Sequence, residues 1–316
     1  MFFDRQRRRK THDFRQSLLK AIRNYELKKV MFETDLVFSC GLEENFLPVV
    51  DVWLVIDILR ATTVITRWFE LGGIELYPVK SPDTARRLVL DLKERGSSPL
   101  LMGEVNGIPP EGFDLGNSPV ELNYELIQEH YCGVMSTTNG TVALNEAYLT
   151  GSPVIAVSFR NLSACLDYAS KIGGRIGILC SGRKKRPSWE DTLCAGALLE
   201  SLNARGKVIM SDSAKIALTV WQNEKNKTLI SSVEKSEHAD YLKHIGYGRD
   251  IIFACEVDAA TVVPVLEKKN KNLILRNIAG TARAYEEINI SPKISNSNPN
   301  PLVITQDPFE ELLKLY

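Results

Sequence analysis

The chain has 316 residues, of which 44% are hydrophobic and 25% charged, with 39 basic side chains against 39 acidic ones. These values are typical of a globular protein of about two domains, and they exclude collagen-like, largely disordered and disulfide-scaffold classes. Because no apolar run reaches the roughly 18–20 residues of a membrane helix, and no apolar signal segment opens the chain, the sequence predicts a soluble cytoplasmic protein without membrane partners.

The first 45 residues are predicted to form a basic amino-terminal extension. Residues 1–30 carry ten basic and three acidic side chains, so the rest of the chain has a net charge of −7. The pattern favours a solvated, partly helical segment, and an arm for an acidic partner or nucleic acid is the alternative. Nucleic-acid binding is not predicted, since no recognised binding module accompanies the charge.

From residue 49 onwards, short β-branched runs alternate with amphipathic segments, which predicts βαβ units and a largely parallel sheet. The predicted strands are 50–57, 74–79, 99–102, 132–137, 153–158 and 174–180, and the helices between them are 61–71, 82–95, 119–129, 140–149, 161–171 and 188–203. Beyond residue 205 the predicted elements are helices 213–224 and 237–245, strands 250–255, 260–266 and 272–278, and a tail helix at 307–316.

The first segment with chemical character is LVIDILRATTVI, at the end of a predicted strand. In open α/β sheets, ligands bind at the carboxyl ends of the strands. Asp57 falls at such an end, and Arg60 begins the next helix, whose amino terminus suits a phosphate. The alternative is that Asp57 caps this helix and pairs with Arg60.

The second segment is the long loop GEVNGIPPEGFDLGNSP, which contains Glu104, Glu111 and Asp114. Long loops within compact domains are usually functional. Three carboxylates on a glycine-rich loop are able to bind Mg²⁺ or orient a water molecule. A solvated surface turn is the alternative.

The third segment, STTNGTVAL, joins a predicted strand to a helix. Hydroxyl groups, an amide and a permissive glycine backbone make an uncharged cradle for an oxyanion or phosphate. An ordinary Asn-Gly turn with a threonine cap is the alternative.

The fourth segment, ILCSGRKKRPSWEDTLCAGAL, combines a basic run at 183–186 with Ser188, Glu190 and Asp191 at the start of a helix. Acidic residues are favoured in the first turn by the helix dipole. A capped helix beside a solvated basic loop is the alternative. Cys180 and Arg186 also have the spacing of cysteine-dependent phosphatases, but the loop lacks the glycines of a backbone phosphate cradle.

Together these segments resemble the 2-phosphosulfolactate phosphatases, Mg²⁺-dependent enzymes of coenzyme M biosynthesis. The matching sequences are IDILRATTVI, GE followed by EGFDLGNSP, TTNGT and the pattern S-x-E-D-T-L-x-A-G, in the order of the family. A later stretch, GYGRDIIFACEVDAATVVP, looks like the family's carboxyl-terminal segment, so the resemblance covers about residues 49–265.

The resemblance implies an α/β fold of two related three-layer domains with largely parallel sheets and an active site between them. On this basis we expect a first α/β domain at 46–150, a second at 151–278, and a linker with a tail helix at 279–316. The oligomeric state, a homo-oligomer included, is left open.

The resemblance also implies Mg²⁺-dependent hydrolysis of a small anionic phosphoester, namely 2-phosphosulfolactate to sulfolactate and phosphate. The expected catalytic residues are Asp57, Arg60, Glu111 and Asp114; the expected substrate-binding residues are Asn117, Ser118, Thr138, Asn139, Gly140, Thr141 and Ser188; and the expected Mg²⁺ ligands are Asp57, Glu104, Glu190 and Asp191. Attack by water and a covalent route through an aspartyl phosphate on Asp57 are both open.

Two positions depart from the family pattern. Val105 and Val142 stand where the family usually has arginine, and the basic run at 183–186 replaces what is usually a small, glycine-containing loop. The basic run either restores the missing positive charge or selects a different anion. The alternative functions are a phosphatase for another phosphoester, a catalytically silent relative that binds an anion or a partner protein, and a phosphatase that uses Cys180.

Overall fold

Ten strands form one mixed sheet in this computed structural model, which describes residues 31–41 and 47–279. The order across the sheet is β4-β5-β3-β10-β9-β6-β2-β7-β1-β8. The strands are β1 Met31–Val37, β2 Val52–Ile56, β3 Glu75–Val79, β4 Leu100–Gly103, β5 Cys132–Ser136, β6 Val154–Val157, β7 Arg175–Cys180, β8 Lys207–Met210, β9 Pro264–Lys269 and β10 Asn272–Asn277.

The β9–β10 hairpin joins two groups of parallel strands. Strands β3, β4 and β5 form one group, and β6, β2, β7, β1 and β8 form the other. Because β9 and β10 pair antiparallel with each other and with their outer neighbours, the two groups run in opposite directions. The predicted α/β fold with a largely parallel sheet is confirmed.

Helices connect and cover these strands. In the described part of the chain the α-helices are α1 Ala61–Glu70, α2 Pro82–Glu94, α3 Tyr124–His130, α4 Gly140–Leu149, α5 Leu162–Ile172, α6 Trp189–Asn203, α7 Asp212–Glu224, α8 Leu229–Val233, α9 Glu237–His244 and α10 Gly248–Ala254. Helix α2 begins where the sequence predicts, since the Ser81 hydroxyl accepts a hydrogen bond from the Thr84 N–H at 3.3 Å and Pro82 occupies the first turn.

Several predicted elements differ from the structure. The predicted strand 250–255 is wrong: residues 250–254 belong to helix α10, which buries Asp250, and Cys255 caps that helix. The predicted helix 119–129 is divided into a short 3₁₀ turn and α3, because the Asn123 side chain accepts the Leu126 N–H at 2.9 Å and starts a new helix. Strand β1 lies inside the predicted extension, where its alternating polar and apolar residues were not recognised as a strand.

Strand β2 is the central element for function. Its five residues are all buried, as expected for a parallel strand covered on both faces. Trp53 on this strand lies opposite Gly177 of β7, and a Cβ at Gly177 would come within 2.6 Å of the indole ring. The glycine therefore makes room for the tryptophan, and β2 ends directly at Asp57.

The two predicted α/β segments contribute to one sheet. Strand β2, from the segment 46–150, lies between β6 and β7 of the segment 151–278. The domain boundaries themselves stay predictions, and the predicted tail helix and residues 1–30 lie outside the described residues. In the described part of the chain, no helix is both long and apolar enough to cross a membrane.

Candidate active site

A cavity of about 230 Å³ lies where loops that follow β2, β4, β5 and β7 come together. We refer to it as the Asp57 cavity. The predicted site residues that line it are Asp57, Arg60, Glu104, Asn117, Thr138 and Asn139. The structure thus brings together residues from three of the four sequence segments, and the fourth segment contributes Arg183 and Lys184.

The Asp57 carboxylate lies beside the amino end of α4. An added Cβ at Gly140 would come within 2.6 Å of Asp57 Oδ2 and would also collide with the Ala61 side chain. Glycine is therefore required for the first turn of α4 to approach this carboxylate. The free N–H groups at a helix amino end favour negative charge, so this arrangement suits a phosphoryl group next to Asp57.

Burial raises the pKa of Asp57 to about 6. His238 opposes this rise through its charge, while Glu104 and, more weakly, Glu190 add to it. A carboxylate with a pKa this high is poised to bind a cation or exchange a proton close to neutral pH.

We expect the substitution Gly140→Ala to lower activity at least tenfold and to destabilise the fold by about 1–3 kcal/mol, because the new methyl group overlaps Asp57 and Ala61. Gly248→Ala is the matched control, since its Cβ would make only an ordinary contact with Lys243 at 3.4 Å. Phosphate-release kinetics and urea denaturation of both variants test this. Equal behaviour of the two variants would contradict the assigned role of Gly140.

Glu104 holds two loops of the cavity in place. Its carboxylate accepts hydrogen bonds from the Thr138 N–H at 2.7 Å, from the Gly107 N–H at 2.6 Å and from the Thr138 hydroxyl at 3.2 Å. Since both oxygens are bound by N–H groups, Glu104 joins the loop after β4 to the turn after β5.

Arg60 is buried and fully engaged, with only 3% of its surface exposed. One end nitrogen donates to Asp250 at 3.0 Å and the other to the Gly107 carbonyl at 2.7 Å, and the guanidinium lies 4.3 Å from the centre of the Tyr247 ring. The alternative pairing of Arg60 with Asp57 is not what the structure shows. Its partner is Asp250 on α10, which also accepts the Ser118 hydroxyl at 2.6 Å.

Glu111 and Asp114 lie on the exposed side of the long loop and do not line the Asp57 cavity. The Asp114 carboxylate accepts the Leu101 N–H at 2.8 Å, and the Glu111 carbonyl accepts a hydrogen bond from Arg86 at 2.8 Å. These contacts hold the loop against β4 and α2.

Thr141 stabilises the turn that precedes α4. Its hydroxyl donates to the Thr137 carbonyl at 3.0 Å, and its N–H donates to the Thr137 hydroxyl at 3.0 Å. Asn139 precedes the helix without a capping bond from its side chain, so the amide group stays available to the cavity that it lines.

Asp191 fixes the ends of β2 and β7. It accepts hydrogen bonds from the Ile58 N–H at 3.0 Å, the Gly182 N–H at 3.2 Å and the Ser181 hydroxyl at 3.3 Å. Burial, together with Glu190 and Asp57, raises the pKa of Asp191 well above its usual range. Both of its carboxylate oxygens thus accept backbone N–H groups at the junction of the two strand ends.

His238 lines the Asp57 cavity from the first turn of α9, and the sequence analysis missed it. Its Nδ1 lies 3.2 Å from Glu190 Oε1, while Glu190 Oε2 is buried without a hydrogen bond. The sequence offers only a weak signal for this histidine. Ser236, two residues before His238, is a typical helix-capping residue, and its hydroxyl accepts the Ala239 N–H at the start of α9.

The basic run forms a tight hairpin, from which the Arg183 and Lys184 side chains reach the cavity. Arg183 and Arg186 exchange backbone hydrogen bonds of 2.9 and 3.0 Å, with Lys184 and Lys185 at the turn. The Arg183 guanidinium lies 5.0 Å from the centre of the Tyr241 ring. Within residues 31–41 and 47–279, no carboxylate lies within ion-pair distance of the four side chains at 183–186, so their charge is available to an anion.

Cys180 is fully buried at the end of β7 and does not line the Asp57 cavity. Burial raises the pKa of its thiol well above the ordinary value, and Asp191 adds to the effect. A nucleophilic thiolate needs the opposite environment. We therefore expect Cys180→Ala to keep its turnover within about threefold of wild type in phosphate-release assays, whereas a loss of a hundredfold or more without unfolding would support the cysteine mechanism.

Among the described residues, no three His, Cys, Asp or Glu side chains are grouped so that they could hold a metal ion. The donors nevertheless fit Mg²⁺, which usually takes one or two protein oxygens and completes its shell with water and substrate phosphate. Asp57 supplies a carboxylate, and Asn117 Oδ1 is a buried oxygen with no hydrogen bond in a residue that lines the same cavity.

Comparison with known proteins identifies the family. A family model described as 2-phosphosulpholactate phosphatase matches residues 41–269. A protein of Pseudothermotoga lettingae named probable 2-phosphosulfolactate phosphatase is 34% identical over 214 residues, which cover 68% of this chain and 88% of the relative. Proteins of the same name from Deinococcus radiodurans and Thermotoga petrophila are 34% and 36% identical, cover 68% and 67% of this chain, and are themselves covered to 88%. The chain therefore belongs to the 2-phosphosulfolactate phosphatase family, a family of phosphoric monoester hydrolases.

Proposed function

We propose that this protein is a Mg²⁺-dependent phosphatase that hydrolyses 2-phosphosulfolactate to sulfolactate and phosphate, a reaction of coenzyme M biosynthesis. The observation that carries the proposal is the Asp57 cavity. It brings together a carboxylate with a raised pKa, a helix amino end and two cations that have no carboxylate partner among the described residues. The names of the relatives support the substrate.

The phosphoryl group is placed at the amino end of α4. There the backbone around Asn139 and Gly140 offers N–H groups and the positive end of the helix dipole. Arg60 shapes this site without binding phosphate directly, because both its end nitrogens are already bound to Asp250 and Gly107.

Asp57 and Asn117 would hold Mg²⁺ at this site. When bound, the ion would neutralise phosphoryl oxygens and make a bound water more acidic. Glu104 and Asp191 have a positioning role in this proposal, since backbone N–H groups occupy their oxygens.

His238 supplies the proton in the bond-breaking step. Water attacks phosphorus, the bond between phosphorus and the ester oxygen breaks, and a proton from His238 passes to the leaving oxygen. The proton that the attacking water loses passes to solvent, from which His238 regains its own. Glu190 orients the imidazole through the contact at Nδ1. The alternative mechanism has two steps and uses the same residues. Asp57 itself attacks phosphorus, and the resulting aspartyl phosphate is then hydrolysed.

The acidic groups of the substrate are assigned to Arg183 and Lys184. Val105 is 46% exposed and carries no charge, and Val142 packs against the hydrophobic core. The hairpin therefore provides positive charge to the cavity where the family usually relies on the two other positions.

Phosphate release from 2-phosphosulfolactate, 2-phospholactate and p-nitrophenyl phosphate, with Mg²⁺ and with EDTA, tests the proposed function. We expect metal-dependent release, with the highest kcat/KM for 2-phosphosulfolactate because it presents the most anionic groups to the hairpin. If none of the three esters released phosphate in a metal-dependent way, the proposal would be wrong.

A further inference from the structure

A second cavity, of about 310 Å³, adjoins the Asp57 cavity. We call it the Arg186 cavity. It lies between the hairpin 183–186 and the first turns of α6 and α9, and it shares Arg183, Lys184 and His238 with the Asp57 cavity. Because three residues line both spaces, the two cavities are neighbours, and a ligand in the first lies within a few side chains of the second.

The Arg186 cavity is rich in positive charge. Its lining contains four cations against two carboxylates. Lys235 is already paired with Glu224, and Glu190 contacts His238, whereas Arg183, Lys184 and Arg186 have no carboxylate partner among the described residues. The free charge therefore comes from the hairpin and is suited to an acidic group of a ligand.

The hairpin geometry concentrates this charge. In a two-residue turn the flanking residues lie directly opposite each other, so Arg183 and Arg186 are neighbours across the strands. Lys184 and Lys185 adopt positive φ angles of 52° and 59°, a backbone conformation that residues other than glycine and asparagine rarely adopt. Such local strain is typical of functional segments.

Ser188 provides an independent indication of a ligand. It stands at the N-cap position of α6 and is only 6% exposed, yet its hydroxyl does not cap the helix, and it approaches the Asp191 carboxylate without the geometry of a full hydrogen bond. Ser236, in the same position of α9, accepts the Ala239 N–H at 3.0 Å. The amino ends of a 15-residue and an 8-residue helix thus border the cavity, and one of them has a buried hydroxyl that makes no full hydrogen bond.

We propose that the Arg186 cavity is a second anion subsite, which binds the distal acidic group of a phosphoester longer than a three-carbon acid. Arg186 and the Ser188 hydroxyl contact this distal group. The Trp189 ring lines the apolar side of the cavity; it is 36% exposed and donates a 2.9 Å hydrogen bond to the Ser232 carbonyl. The proposal rests on the proposed phosphatase function of the Asp57 cavity, and it extends the substrate class.

The test uses alkane bisphosphates of increasing length, from propane-1,3-diol bisphosphate upwards, each compared with the alkyl monophosphate of the same length. We expect KM to fall about tenfold or more for the bisphosphates that are long enough to reach the second cavity, with kcat little changed. The monophosphates, which lack a distal charge, should show no such fall.

Two variants of the hairpin locate the effect. Arg186 lines only the second cavity, whereas Lys185 lines neither. Arg186→Met should raise KM for the long bisphosphates by about tenfold and leave the monophosphates unchanged, while Lys185→Met should behave like wild type on both. Circular dichroism confirms that both variants are folded.

The outcomes separate the two proposals. Hydrolysis of monophosphates without any gain from a distal phosphate, or identical kinetics of the Arg186→Met and Lys185→Met variants, would overturn the second subsite and leave the phosphatase function intact. Phosphate release from 2-phosphosulfolactate but from none of the alkane esters would also overturn the second subsite, whereas absence of release from every ester, 2-phosphosulfolactate included, would overturn the proposed function itself.

Discussion

Replacing Asp57 with asparagine is expected to lower phosphate release by a factor of about 10³ or more, and also to stabilise the metal-free protein at pH 7. The first effect follows from removal of the carboxylate that lies beside Gly140 at the amino end of α4 and that would hold Mg²⁺ there. The second follows from burial, which raises the pKa of Asp57 from 3.8 to about 6 and therefore makes its charged form costly.

The direction of the Asp57 pKa shift determines how the free energy of unfolding depends on pH. The folded state binds the Asp57 proton more tightly than the unfolded state does. Protonation of Asp57 therefore stabilises the folded state fully below pH 3.8, and this stabilisation is lost as pH rises through about 6. At pH 7 the loss is on the order of 2–3 kcal/mol. Asp57→Asn removes this loss.

Urea denaturation in EDTA at several pH values between 4.5 and 7.5 measures both quantities. Asp83→Asn is a suitable control, since its side chain is exposed and paired with Arg86 on the surface. An Asp57→Asn variant that is no more stable than wild type at pH 7, or that keeps the wild-type slope with pH, would contradict the role of burial.

Replacing His238 with glutamine is expected to cost 10²–10⁴-fold in turnover of alkyl phosphoesters, and much less with p-nitrophenyl phosphate. An alkoxide leaving group needs a proton as the ester bond breaks, whereas p-nitrophenolate leaves without one. The difference between the two substrates therefore reports proton donation and not merely loss of structure.

Two further variants define the contributions of the histidine and its partner. His244→Gln is the matched control, because His244 lies in the last turn of the same helix and does not line the Asp57 cavity. Glu190→Gln should reproduce part of the His238→Gln defect with the same dependence on the leaving group, since Glu190 positions the ring. Equal losses of His238→Gln on both substrates would exclude proton donation.

The short-range features of the chain could be predicted from its sequence. The apolar run of β2 required a covered parallel strand, and the serine–proline pair at 81–82 indicated a helix start that the structure contains. The four motif segments also follow strands or precede helices, so their residues were expected at the carboxyl ends of strands.

Contacts between distant segments could not be predicted in this way. Arg60 binds Asp250, which lies 190 positions away in a segment predicted as a strand because of its β-branched residues. The helical state of 248–254 depends on burying Asp250 against Arg60 and Ser118, a tertiary contact that local propensity does not contain. His238 was missed for the same reason, since its partner Glu190 is 48 positions away.

The sequence by itself determined the fold class, the family resemblance and the motif residues Asp57, Glu104 and Thr138, because periodicity and strand–loop–helix junctions are local properties. Tertiary structure decided which charged side chains lack an oppositely charged partner among the described residues. Arg60, the cation that the sequence favoured for phosphate, is neutralised by Asp250, while the hairpin 183–186 has no carboxylate partner in the described part of the chain. Whether a charge is available depends on which oppositely charged groups the fold places within a few ångströms, and only the three-dimensional packing sets those distances.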